Sequence, residues 1–149
     1  MPEYYPPLGF HFRVEFDLFG IGEESTDARF KEVSGLNASL GSETYDEGGE
    51  NRFSHRFPNR ASYGNLVLRR GMLPSSEIVT WCRKAIENFD FETSNVSVIL
   101  LNNEHEPLAS WEFVNAWPTS WSVDSFNAED GKIVVESLEL SYNYFRRTQ

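Results

Sequence analysis

Cysteine, basic residues and long apolar runs are scarce in this sequence, and each scarcity excludes a class of protein. Cys82 is the only cysteine, which excludes the internal disulfide framework that staples small secreted domains. Lysine and arginine total 13 against 23 aspartates and glutamates, giving a formal net charge of −10. This acidic balance opposes stable nucleic-acid binding and adsorption to anionic membranes, because both need clustered positive charge.

Targeting signals are also missing. No apolar run approaches the roughly 20 residues that a membrane-spanning helix needs. The N-terminus has neither the basic segment nor the apolar segment of a signal peptide. We therefore expect a protein made in a bacterial cytoplasm, without a signal peptide or a membrane anchor.

The 149 residues fit one domain, and the 40% hydrophobic content, with 15% aromatic residues, is enough to build a core. Residues 1–8 are rich in proline and tyrosine and predict an extended N-terminal arm. The pattern of the remaining chain predicts mainly β-structure with one helix, an α+β fold built on a small antiparallel barrel or sandwich.

Candidate chemistry is sparse. His11, His55 and His105 stand at no spacing typical of metal ligands, and ordinary exposed histidines explain them better. The acidic pairs fall in polar loops, where solvated charge is the usual state. We expect no catalytic residue, no metal site and no cofactor. A hydrolase that uses loop carboxylates stays open as an alternative, although no motif supports it.

Apolar periodicity locates the helix and the first strand. Strict alternation from Phe10 to Leu18 predicts a strand with one buried face. Residues 75–89 predict a helix whose first turn is capped by Ser75 or Ser76. Its apolar residues recur at helical spacing and predict one core-facing stripe, formed by Ile78, Trp81, Cys82, Ala85, Ile86 and Phe89.

The second half of the chain predicts further strands. Residues 96–101 and 108–115 predict a hairpin, and Ala116-Trp117-Pro118 predicts a kink, because proline cannot donate to a ladder. In the last strand, residues 132–144, the apolar positions change parity near Glu136-Ser137. Either a bulge turns the following side chains to the other face of the strand, or both faces are buried at different positions along it.

The aromatic residues of the second half and two basic doublets of the chain each allow two interpretations. Odd-numbered spacing favours the core face of a sheet over a base-stacking platform for Trp111, Phe113, Trp117 and Trp121. The basic doublets of the sequence are Arg69-Arg70 and Arg146-Arg147. We expect them to pair with acidic groups of a neighbouring subunit rather than with nucleic acid.

Residues 37–47 alternate weakly and predict a second, less buried strand, and residues 41–60 predict a long loop, hairpin-like at its base, since they are rich in glycine, asparagine and charge. Compact domains rarely carry such loops without a use, so this one is a candidate interaction element. Phe53 and Phe57 strengthen that interpretation, because a solvated loop has no reason to expose two phenylalanines.

Several segments stand in a fixed order along the chain: Phe10-His11-Phe12-Arg13-Val14, Phe30-Lys31-Glu32-Val33-Ser34-Gly35-Leu36, Asn65-Leu66-Val67-Leu68-Arg69-Arg70-Gly71, Asn115-Ala116-Trp117-Pro118 and Val135-Glu136-Ser137-Leu138-Glu139-Leu140. Together they resemble the tail-tube protein family of contractile phage tails and phage-tail-like injection particles. The resemblance spans roughly residues 8–144. It implies a protein that acts by assembling rather than by catalysis.

The resemblance implies hexameric rings that stack into a hollow inner tube, which is driven into a target and conducts cargo through its lumen. The implied partners are further copies of the chain, the sheath protein, baseplate or hub and spike proteins, and tape-measure and tube-cap proteins. The long loop matches the ring-stacking element of the family. Its candidate stacking residues are Asp46, Glu47, Glu50, Arg52, Phe53, Arg56, Phe57 and Arg60.

Other roles stay open within and outside the family. A tube-initiating ring that adjoins the baseplate and a type VI secretion-like ring protein share the same pattern. The lack of an appended peptidoglycan-binding or baseplate segment favours the main tube. A small ligand-binding β-barrel is the alternative from a different class.

Overall fold

The described part of the chain consists mostly of antiparallel strands with one helix. The structure, a computed structural model, describes residues 11–18, 26–45, 48–49, 55–124 and 134–149. The N-terminal arm predicted for residues 1–8 lies outside these ranges. In chain order the elements are β1 (His11–Phe16), a 3₁₀ turn (Thr26–Ala28), β2 (Arg29–Phe30), β3 (Glu32–Ser34), β4 (Ala38–Tyr45), β5 (His55–Tyr63), β6 (Leu66–Gly71), α1 (Glu77–Asn88), β7 (Ser94–Leu101), β8 (Pro107–Val123), β9 (Val135–Ser141) and β10 (Tyr144–Arg147).

The main sheet folds into two layers around one core. Its strand order is β2-β1-β7-β8-β9-β6-β3, and β10 also pairs with β8. The first layer holds β2, β1, β7, the first half of β8 and β10; the second layer holds the rest of β8, β9, β6 and β3. Val14 and Phe113 of the first layer share the core with Leu68 and Leu138 of the second. The predicted antiparallel fold with one flanking helix is confirmed. The predicted barrel is not closed, because the described parts of β2 and β3 end the ladder on opposite sides.

Strand β8 passes from one layer to the other without a break. It pairs with β7 up to Ala116 and with β9 from Trp117 onward. Asn115, at the crossover, has a left-handed backbone (φ 55°). The pairing register shifts between Pro118 and Ser120, so a bulge accommodates the proline inside the strand. The predicted kink is therefore confirmed as a local bend, although the strand continues through it without interruption.

One long hairpin extends from the second layer. β3 pairs with β6 (Ser34 opposite Val67), and β4 pairs with β5 (Ala38 opposite Tyr63) in the same register as far as Leu40, after which the register shifts by one residue. The less buried strand predicted for residues 37–47 and the hairpin-like base are confirmed, whereas the prediction of a long loop over residues 41–60 is wrong where they are described, because they are mostly strand. All of β4 is exposed, and a strand exposed on both faces shows only a weak alternation of apolar and polar residues. We call β4 and β5 the arm.

Gly35 makes the bend between the second layer and the arm. Its φ is +88°, and a Cβ at this position would collide with the carbonyl oxygen of Asn65. At Gly64, on the opposite strand, a Cβ would lie 2.6 Å from the Asn37 side-chain oxygen. Glycine is needed at the bend because only it combines a left-handed backbone with so close an approach. This gives the Ser34-Gly35 pair in the sequence its physical cause.

The parity change in the last strand has a different origin from the two that the sequence suggested. β9 pairs with β6 without a register shift, so no bulge lies near Ser137. Only one face of β9 is buried, and it carries Glu136, Leu138 and Leu140. The bulge explanation is wrong, and burial of both faces is wrong at Val135, which is only partly buried; Ile133 lies outside the described residues. The buried face of β9 begins with a carboxylate instead of an apolar residue, which explains the change of parity.

Helix α1 begins at the Ser76 cap, whose Oγ accepts a hydrogen bond from the Val79 N–H, as predicted. Ile78, Trp81, Cys82 and Ala85 are buried. The assignment of Ile86 and Phe89 to the core is wrong, since they are 52% and 83% exposed. At about 100° per residue Ile86 lies on the flank of the stripe. Phe89 follows the last helical residue in a left-handed conformation (φ 54°), which turns its side chain away from the core.

Candidate assembly surfaces

A buried polar network around Arg70 fixes the helix to the sheet. The Arg70 guanidinium donates from Nε to Glu136 Oε1 (2.8 Å) and from Nη2 to Ser76 Oγ (2.9 Å), and its Nη1 lies 2.8 Å from Asp27 Oδ1. The Asp27 carboxylate also accepts the Glu77 backbone N–H at 3.0 Å, where an acidic group stabilises the start of a helix. Strand β6, strand β9, the 3₁₀ turn and the helix are thereby held together.

The basic doublets find acidic partners inside the subunit. Besides the Arg70 network, Arg69 Nη2 lies 3.4 Å from Asp124 Oδ2, and Arg146 Nη2 lies 2.9 Å from Glu112 Oε1. The expectation of pairing with a neighbouring subunit is wrong for the buried Arg70, and it stays a prediction for Arg69 and Arg146, whose side chains are exposed.

Three of the predicted stacking residues lie in the described part of the chain, and all three are on the arm. Arg56, Phe57 and Arg60 lie on β5, and Phe57 is directly opposite Glu43 on β4. Tyr45 shares the face of Phe57, and both side chains are exposed. The remaining candidates lie outside the described residues: Asp46, Glu47, Glu50, Arg52 and Phe53. At the base of the arm the Tyr63 ring packs edge-on against Phe145, with 5.4 Å between centroids.

Two strand edges stand open on opposite sides of the second layer. On one side β8 pairs with β9 from Trp117 to Val123, and no described strand pairs with its other edge there. On the other side β3 ends the ladder and continues into β4, which pairs only with β5 among the described strands. An open edge presents unpaired N–H and C=O groups that can bind another strand.

An aromatic patch, formed by Phe89, Phe91 and Trp117, is exposed at the end of α1. The rings meet edge to face, with centroids 4.8 Å apart for Phe89 and Phe91 and 5.7 Å apart for Phe91 and Trp117. Sequence reasoning assigned Phe89 and Trp117 to the core and missed this surface. Because the crossover at Asn115 changes the alternation along β8, Phe113 is buried while Trp117 is exposed.

The face of the second layer that points away from the core is polar and lined by small side chains. Its serines, on β8 and β9, are Ser120, Ser122, Ser137 and Ser141. Glu139 lies among them and accepts hydrogen bonds from Asn65 and Ser120. Arg69 lies between Glu32, at 3.9 Å, and Asp124, at 3.4 Å. This polar face, which we call the wet face, carries one arginine and three carboxylates and is therefore mildly acidic.

The polar side chains of the described residues form no group suited to metal chemistry. His11 Nε2 and His105 Nδ1 come within 3.0 Å, a pairing that the sequence spacing did not reveal. Within the described ranges, however, no three His, Cys, Asp or Glu side chains are grouped so as to hold a metal ion. Burial raises the pKa of the Cys82 thiol to about 12, which keeps it protonated and unreactive. No helix in these ranges is long and apolar enough to cross a membrane.

The profile of the T4-like virus tail tube protein gp19 family matches residues 8–146. The chain belongs to this tail tube family. The resemblance found in the sequence is thereby confirmed, and so is the structural role of the protein in a tail tube. No functionally curated protein matches the sequence.

Solved tube-like proteins share the fold of this tail tube protein. A chain of the anti-feeding prophage baseplate, determined by cryo-electron microscopy with six-fold symmetry, has a TM-score of 0.75 at 25% identity, over 99% of this chain and 97% of that one. A chain of the PVC sheath–tube complex, an extracellular contractile injection system in its extended state, has a TM-score of 0.72 at 26% identity, over 97% and 93%. Hcp1 from Flavobacterium johnsoniae shares the fold, with a TM-score of 0.55 at 17% identity over 93% and 95%.

Proposed function

We propose that the protein is the main inner-tube subunit of a contractile injection particle and assembles into hexameric rings that stack. The observation that carries this proposal is the pair of open strand edges on opposite sides of the second layer. The β8 edge of one copy can pair with the β3–β4 edge of the next. Two different edges joined head to tail form a heterologous contact, which closes into a ring when the rotation permits. The six-fold symmetry of the similar anti-feeding prophage baseplate supports six copies.

The wet face of the second layer is proposed to line the lumen. When open edges join around a ring, the second layers become one wall, with the core of each subunit on the outside. The inner surface is then the one with the serines and Glu139. Small hydroxyl groups and a mild negative charge give cargo little to bind, and they repel a polyanion that slides past.

Ring stacking is assigned to residues 41–60, including Arg56, Phe57 and Arg60 on the arm. The described part of the arm packs extensively on no other element of the body, so its exposed aromatic and basic side chains are available to a neighbour. In the sequence of this segment acidic residues precede basic ones, which suits a contact that repeats head to tail. Replacing residues 48–57 by a short Gly-Ser linker is expected to leave folded rings but abolish tubes. Normal polymerisation of that variant would place stacking elsewhere.

The proposed partners are the sheath, the baseplate with its hub and spike, the tape-measure protein and the tube cap. Chains similar to this one occur in structures of a sheath–tube complex, a baseplate and a tube-terminating cap. The protein is proposed to have no enzymatic activity and to be made in the bacterial cytoplasm before it joins the particle. A second candidate role is the tube-initiating ring at the baseplate, favoured by the likeness to the anti-feeding prophage baseplate chain.

Analytical ultracentrifugation and negative-stain electron microscopy of the purified protein test the assembly. Rings with a central channel, and tubes at higher concentration, are expected. A protein that stays monomeric at all accessible concentrations, with no rings in the micrographs, would refute the proposal.

A further inference from the structure

We propose that the aromatic patch of one subunit receives the arm of a second copy of this chain. The inference rests on the proposed tube function and specifies one of its contacts. Phe89 is 83% exposed, and Phe91 and Trp117 are each more than a third exposed. Three adjacent exposed rings mark an interaction surface, since a soluble protein rarely leaves aromatic rings clustered in water.

The charges around the patch suit a basic partner. Asp90 lies between the two phenylalanines in the chain and Glu92 follows them, and both are exposed. The described strands of the arm carry Arg56 and Arg60 against a single carboxylate, Glu43. In the sequence, the residues between these two strands carry three carboxylates and one arginine, so the arginines of β5, rather than the segment as a whole, are the groups that suit the acidic rim. Arginines can pair with the acidic rim and also stack on aromatic faces.

A strand from another copy that pairs with the open edge of β8 would lie next to the patch. Trp117 belongs to the patch and is also the first residue of that edge, which runs to Val123. β4 has 8 residues and, at about 3.3 Å per residue, is long enough to pair along the edge. A β4 strand paired with this edge would place the arm beside Trp117. The arm and the patch are different surfaces of the same chain, so their contact can repeat from copy to copy in the assembly.

Photo-cross-linking tests which segment of a second copy occupies the aromatic patch. The photo-reactive amino acid p-benzoylphenylalanine is placed at position 89, and assembled tubes of the full chain are irradiated and digested. Mass spectrometry is expected to find position 89 joined to a peptide from residues 38–63 of another copy. The same peptide must be absent from a sample irradiated as monomer. A link to a different part of a second copy, or no link between copies in well-formed tubes, would overturn the inference.

Substitution measures the contribution of the patch. Phe89→Asn removes the exposed ring and keeps a residue that tolerates the left-handed backbone. Because the side chain is exposed, thermal unfolding of the monomer should be unchanged, while the concentration for half-assembly should rise about tenfold or more. Leu108→Asn is the matched control, since Leu108 is an exposed apolar residue outside the patch. Unchanged assembly of Phe89→Asn would overturn the inference alone, whereas a wild-type protein that never assembles would refute the proposed tube function.

Discussion

Arg70 and Glu136 form an ion pair that is sealed inside the subunit, with 2.8 Å between Arg70 Nε and Glu136 Oε1 and at most 3% of either residue exposed. The pair spans adjacent strands, since Arg70 on β6 lies directly opposite Glu136 on β9. The Trp121 indole N–H donates to the second Glu136 oxygen at 3.3 Å. A charged group is tolerated in the core here because each of its polar atoms has a partner.

Removing the carboxylate should leave Arg70 buried without its main partner. We expect Glu136→Ala to lower the free energy of unfolding by about 3–5 kcal/mol, the range for breaking a buried ion pair. Urea denaturation of the monomer measures the loss. The control is Glu139→Ala, three residues along the same strand on the wet face, for which about 1 kcal/mol or less is expected. Equal losses in the two variants would contradict the buried-network interpretation.

Trp81 is the largest side chain of the helix in the core. Its ring packs edge-on against Phe16, with centroids 5.5 Å apart, and its Nε1–H donates to the Glu92 carbonyl at 2.7 Å. Trp81→Ala should therefore cost about 3–5 kcal/mol of subunit stability. Phe89→Ala, on the exposed end of the helix, should change it by no more than about 0.5 kcal/mol. A loss below that value for Trp81→Ala would show that the helix is oriented differently.

Gly35 is expected to tolerate no side chain. Alanine would combine a left-handed backbone with a clash against the Asn65 carbonyl, so Gly35→Ala should destabilise the hairpin by more than about 1 kcal/mol. Gly48→Ala is the control, because no atom lies within 4 Å of a Cβ there. Thermal unfolding compares the two variants. Comparable melting temperatures would mean that the bend at Gly35 can be made by other residues.

Stability should fall in alkaline solution because of Cys82. Burial raises the pKa of its thiol from 9.0 to about 12, whereas the unfolded thiol ionises near its ordinary value. The unfolded state therefore loses its proton first, and the free energy of unfolding should fall as the pH rises from about 9 toward 12. Tyr142, whose pKa is raised to about 12 mainly by burial, contributes in the same direction only above about pH 10. In Cys82→Ala the fall between about pH 9 and 10 should be smaller than in the wild type. Identical slopes would exclude the thiol as the cause.

The proposed lumen can be tested by thiol labelling, since Cys82 is buried and does not compete. Ser122→Cys places a reactive thiol on the wet face, and Lys84→Cys places one on the exposed side of the helix. In assembled tubes, a maleimide attached to a protein too wide to enter the channel should label position 84 and not position 122. Both positions should react in the monomer. Full labelling of position 122 in intact tubes would show that the wet face is not the lumen.

Local patterns were enough to predict most of the individual elements. The alternation from Phe10, the Ser76 cap and the stripe through Ile78, Trp81, Cys82 and Ala85 each reflect interactions between near neighbours in sequence, so the sequence displays them directly. The arm was predicted only in part, as a weak strand over residues 37–47, because a hairpin exposed on both faces has little apolar periodicity. The patch was missed because burial of Phe89 and Trp117 depends on where the helix ends and where β8 crosses between layers.

The sequence by itself determined the class of the protein, since its ordered segments resemble the tail tube family, while its acidic balance and single cysteine excluded other classes. Tertiary structure alone decided that Arg70 meets Glu136 inside the core and that the described strands leave two edges of one layer unpaired. These features depend on residues 66 positions apart or on strands that are distant in sequence. No local period encodes such pairings, because their energy comes from contacts that exist only after the layers have packed.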